Sequence, residues 1–133
     1  MVNIMLSCPD CNKLANINVG QIARRDCLVW FRSWNCENCG FSLEEGGEDT
    51  PEDIRKIMMC EEGSWVLTIS EMSKGVSAYK ILKEVLALSL QDVAKLRKDQ
   101  SGCVYTGTKA EVNFYQRQCV ELGLELIANQ KLD

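Results

Sequence analysis

Cys8-Pro9-Asp10-Cys11 and Cys36-Glu37-Asn38-Cys39-Gly40 are two Cys-x-x-Cys turns separated by 24 residues, and nothing else in the chain restricts its fold as strongly. Tetrahedral coordination needs four soft donors converging on one point, and each turn offers two thiolates that can bind the same ion. Two such turns, each opening a hairpin, close the shell and leave no position for water or substrate. The spacing therefore predicts a structural four-cysteine zinc ribbon with Cys8, Cys11, Cys36 and Cys39 as ligands.

Iron is the alternative occupant, because a rubredoxin also holds its metal with four thiolates from two such turns. A thioredoxin-like redox pair should follow a buried strand and open a helix. Cys8 lies too near the first residue for that context, and the second turn would go unexplained. No charged-then-apolar leader is visible, so disulfides are not expected and a cytoplasmic location is. Cys27, Cys60, Cys103 and Cys119 sit among apolar neighbours and read as small packed side chains.

The net charge of −4 argues against simple phosphate-backbone binding, which needs clustered lysine and arginine. No apolar run approaches bilayer length, so a soluble protein is expected. The chain has no histidine, which removes Ser-His and Cys-His nucleophile pairs and the usual general base near neutral pH. Gly46-Gly47 lacks the lysine and helix of a phosphate loop. The expectation is a protein that is not an enzyme.

The pattern divides into a ribbon over 1–47, an acidic hinge and connector helix over 48–63, and an α+β domain over 64–133. Ala15–Val19 alternates as a strand, and Asp26–Asn35 is a β-favouring run into the second turn. Glu44–Asp49 reads as a solvated acidic link with Gly46-Gly47 as its hinge. Thr50-Pro51-Glu52-Asp53 opens a helix with threonine as its cap, and Ile54, Ile57 and Met58 give that helix an apolar face.

Beyond it, Trp65–Ile69 is a strand and Val76–Leu86 a helix. Leu90–Leu96 forms a second helix, and Gly102–Tyr105 a short strand. Thr108-Lys109-Ala110-Glu111 is a capping box, and Gly123 ends its helix before a closing strand over Leu124–Ala128. The order β-α-α-β-α-β makes a sandwich with helices on one face of a three-stranded sheet, so the fold class is α+β.

Three stretches of this second module, roughly half the chain, carry a resemblance. They are Ala78-Tyr79-Lys80-Ile81-Leu82-Lys83, Leu88-Ser89-Leu90-Gln91-Asp92-Val93-Ala94-Lys95-Leu96 and Val120-Glu121-Leu122-Gly123-Leu124-Glu125-Leu126. In order and landmarks the module resembles the C-terminal domain of the bacterial ribosomal large-subunit stalk protein, which recruits translational GTPases. The resemblance implies a partner-binding face on the first helix, carried here by Val76, Tyr79, Lys80 and Lys83. The chain departs from that family at Gly75 and Ser89, and a ribbon stands where the family has its dimerisation helices.

Charge is polarised along the chain. Glu44–Glu62 holds eight acids against Arg55 and Lys56, and Glu71–Asp99 holds six bases against four acids. A solvated helix face would produce the same pattern; a functional one would steer a complementary partner. The function expected is a non-enzymatic, zinc-stabilised module that docks a protein. The resemblance points to a translation-associated factor through Lys80 and Lys83. Small size and acidic balance point instead to a basic toxin or nuclease, bound through Glu48, Asp49, Glu52 and Asp53 as by an immunity or inhibitor protein. The alternative is a nucleic-acid-binding, transcription- or ribosome-associated ribbon using Arg24, Arg25, Arg32, Trp30, Phe31 and Trp34.

Overall fold

The sequence reading starts the ribbon's strands at Ala15, but Val2, Ile4 and Leu6 already alternate with Asn3, Met5 and Ser7. In the computed structural model, which describes residues 1–131, they form β1 (Val2–Ser7). It pairs antiparallel with β2 (Leu14–Ala23), in a register from Val2↔Val19 to Ser7↔Leu14. β3 (Leu28–Asn35) and β4 (Ser42–Gly47) continue the antiparallel sheet in the order β1-β2-β3-β4. The chain divides into two compact units, Met1–Glu62 and the residues from Gly63 onward. The last two residues of the expected 64–133 module lie outside the described ones.

Directly opposed residues share a face of a sheet. The register therefore gathers Val2, Ile4, Ile17, Val19, Trp34 and Trp30 on one side of the first unit. The helix α1 (Glu52–Glu62) covers that side, burying Ile54 and Met58, one turn apart, with Val2, Ile17 and Val19. Ile4, Trp30, Trp34 and Ile57 pack around this cluster.

Two expectations about the acidic segment are corrected here. Glu44–Gly47 is strand rather than solvated link. Glu45 lies directly opposite Arg32, whose Nη2 and Nε donate to its carboxylate at 2.8 and 3.0 Å. Trp34 Nε1 adds a third bond to Glu45 at 3.1 Å. Gly47 lies in the strand against the Trp30 indole, where a Cβ would come within 3.2 Å of Nε1 and crowd the ring, so the glycine sits at a close contact rather than in a hinge. Thr50 is not the helix cap. Its hydroxyl accepts from Gln21 Nε2 on β2 at 2.9 Å, and the first turn of α1 closes on the Pro51 carbonyl.

In the second unit β5 (Trp65–Thr68) is the central strand, flanked antiparallel by β6 (Cys103–Gly107) and β7 (Ile127–Gln130). Three helices complete it: α2 (Val76–Val85), α3 (Leu90–Lys98) and α4 (Lys109–Glu121). The expected α+β order is present. The core joins Leu67 and Ile69 to Ala78, Tyr79 and Leu82 of α2 and to Val112 and Cys119 of α4.

The closing strand begins three residues later than expected. Leu124 and Leu126 still reach the core, but as an extended lead-in delivered by the turn at Gly123. Both helix-opening boxes are complete. Thr108 and Glu111 cap α4 reciprocally, as expected, and Ser89 and Asp92 cap α3 in the same way. Among the described residues no helix is long and apolar enough to cross a membrane.

Candidate metal centre

The two cysteine turns match hydrogen bond for hydrogen bond. In the first, Asn12 N–H donates to the Cys8 carbonyl at 2.9 Å and Cys8 N–H to Lys13 at 2.7 Å. In the second, Gly40 N–H donates to the Cys36 carbonyl at 2.9 Å and Cys36 N–H to Phe41 at 2.8 Å. The residue after each second cysteine must turn left-handed, with φ of 65° at Asn12 and 81° at Gly40. Asparagine tolerates that conformation because its short amide bonds locally. This Asn/Gly equivalence is a signal that the sequence reading passed over.

The pairing of β2 with β3 brings the turns together. The Sγ atoms of Cys8, Cys11, Cys36 and Cys39 all lie within 4.8 Å of one another. Cys8–Cys39 is 3.7 Å and Cys11–Cys36 is 3.6 Å. A tetrahedral ion with metal–sulfur bonds of about 2.3 Å needs sulfur–sulfur edges of about 3.8 Å. The two closest pairs match that edge and the remaining separations stay within 4.8 Å, so the four thiols are close enough together to hold one metal ion. Ala15, Trp34 and Phe41 pack around them, the last two edge to face at 6.3 Å.

The electrostatics of the cluster point the same way. A backbone hydrogen bond at Lys13, then the Asn38 side chain, lower the Cys11 thiol to about 6. Asn38 Nδ2 reaches Cys11 Sγ at 3.4 Å, and Asp10 N–H reaches Cys8 Sγ at the same distance. The Phe41 backbone pulls Cys39 down, but desolvation and the three neighbouring sulfurs outweigh it and push this thiol up to about 12. One thiolate forms readily and then opposes the next. A divalent cation reverses that opposition, since each added negative charge then binds it.

The other cysteines divide. Cys119 is buried in the second core, and burial raises its thiol to about 11. Cys27 and Cys103 are partly buried. Cys60, expected to pack, is exposed on α1.

Of the residues expected on a partner face, Val76, Lys80 and Lys83 are exposed along α2. Tyr79 is not with them: it belongs to the core, with the Arg97 guanidinium 5.7 Å above its ring. Helical spacing explains this, because 76, 80 and 83 share one side while 78, 79 and 82 share the other.

All four of the acidic set are exposed, and two of them also carry ion pairs, Asp53 with Arg32 at 3.1 Å and Glu52 with Arg55 at 3.3 Å. The aromatic set splits as well. Trp30 and Trp34 pack on the cluster under α1, and Arg32 is held between Glu45 and Asp53. Phe31 takes the opposite face by alternation, and Arg24 is exposed at the β2–β3 turn.

No protein-family model, curated protein or solved structure matches this chain.

Proposed function

We propose that this protein is a zinc-stabilised, non-enzymatic interaction module that docks a protein partner in the cytoplasm. Four cysteine sulfurs clustered within reach of one ion support zinc as a structural ion, with Cys8, Cys11, Cys36 and Cys39 filling its shell. The ion's contribution is to cross-link the two turns to each other. Metal analysis of the purified protein tests this part. One equivalent of zinc in colourless protein is expected, whereas iron with its thiolate colour would replace the assignment.

The observation that carries the docking reading is the exposed side of α2. Val76, at 65% exposure, stands beside Lys80 and Lys83, while Tyr79 and Leu82 anchor the helix from behind. An apolar side chain framed by two lysines suits a partner with an acidic rim around an apolar contact. The resemblance to the ribosomal stalk domain implies such a face on the same helix and supports a translation-associated factor as the partner. The acidic set suits this role less well, because Glu52 and Asp53 already hold Arg55 and Arg32.

Affinity capture from cytoplasm is the test, with wild type beside a Lys80→Glu, Lys83→Glu double variant. A partner bound by wild type and weakened at least about tenfold by the variant is the expected result. Equal capture by both would move docking off α2, and the reading would fall.

A further inference from the structure

The four-stranded sheet ends differently at its two edges. β4 carries Glu44 and Glu45 and closes on Gly46-Gly47. β1 reads Val2-Asn3-Ile4-Met5-Leu6-Ser7, with no charge and no proline. Among the described residues it pairs only with β2, so its outer N–H and C=O groups lack a ladder partner.

Beside that edge runs a groove of about 490 Å³, lined mainly by Ile4, Met5, Leu6, Ile57 and Cys60. Apolar surface gathers around it. Met1 is 81% exposed, Met5 48% and Leu6 43%, and Leu14, the register partner of Ser7, is 62% exposed.

We infer that β1 is a homodimer interface, pairing antiparallel with β1 of a second copy across a two-fold axis. Charge selects this occupant. A two-fold sets a strand against itself, so any charge near its centre meets its own image. β1 has none to oppose, whereas the same pairing through β4 would set Glu44 and Glu45 against their copies. Among the described residues the only charge lining the groove is Glu61, which offers a strongly charged partner little to complement. Pairing would satisfy the open edge and cover Met5 and Leu6 in one step, extending the sheet from one copy into the next.

Sedimentation of the full chain across a concentration series, with hydrogen exchange of the Asn3–Ser7 amides, tests the interface. A dimer that dissociates on dilution, with β1 amides losing protection as it does, is expected. Met5→Lys puts a cation on each side of the axis at a half-exposed position and should raise the dimer Kd at least about tenfold. Glu44→Lys, on the other edge, should leave it unchanged. If Met5→Lys fails to bind metal or to fold, Asn3→Lys takes its place. A monomer at every concentration overturns the inference, whether its β1 amides exchange quickly or are covered by the rest of the chain. So does a dimer that both β1 variants leave intact.

Discussion

The two units face the same problem with different means. The main cluster of the first unit buries Val2, Ile17, Val19, Ile54 and Met58, and a separate small cluster consists of Cys8, Ala15 and Cys36. The second unit buries twice as many side chains as that main cluster, in one continuous core contributed by strands and helices alike. A chain of this size with few buried apolar groups needs a staple, and one with a continuous core does not. The difference teaches that metal dependence should stop at the boundary near Gly63.

The sharpest way to break this comparison is to remove the metal. Chelation, or Cys36→Ser, should unfold Met1–Glu62, including α1, because the linkage energy of such sites is on the order of 10 kcal/mol. The second unit should keep its amide spectrum. If one cooperative transition takes both units together, the contrast is wrong.

Within the second unit the effects are smaller and local. Thr108→Ala removes a buried cap that accepts from Glu111 N–H at 3.1 Å, and should cost about 1–2 kcal/mol in chemical denaturation. Metal content should not change. Ala87→Gly should act in the opposite direction. α2 and α4 end in the same way, with Leu88 N–H bonded to the Lys83 carbonyl and Leu124 N–H to that of Cys119. The left-handed residue is Gly123 after α4 but Ala87, at φ 53°, after α2. Relieving it should stabilise this unit by about 0.5–1 kcal/mol, read as a higher Tm.

The smallest effect is a pH dependence. The Ser89 backbone N–H, then its hydroxyl, hold Asp92 below its ordinary value of 3.8. A depressed carboxyl contributes stability above the unfolded pKa and loses it as pH falls through the folded one. The Tm gap between wild type and Asp92→Asn should therefore be full near neutral pH and close below 3.8. A gap that persists in acid would remove the capping box as its cause.

What could be read from the sequence followed how local each signal is. The metal ligands, the Thr108 box and the helix stop at Gly123 are each written within four or five residues, and the structure has all three geometries in place. β4 is written elsewhere. Glu44-Glu45-Gly46-Gly47 has the composition of a loop, and only Arg32 and Trp34, a hairpin away, make it a strand. Thr50 has the form of a cap, but Gln21, far back in the chain, claims its hydroxyl. The Ser89-x-x-Asp92 box was legible in principle, hidden behind a break in hydrophobic phase. Likeness alone points Tyr79 to a partner face, although its own spacing to Ala78 and Leu82 already places it in the core.

The thiol cluster is not equally shielded. Cys8 and Cys36 are sealed inside, while Cys39 is at the surface. Cys11 is partly buried, so an ion held by these four sulfurs would be shielded unevenly, least of all beside Cys39. A chelator arriving from solvent would meet Cys39, the most exposed of the four sulfurs, before the two buried ones. The turn that carries Cys39, rather than the sheet behind it, would then set how well such an ion is shielded.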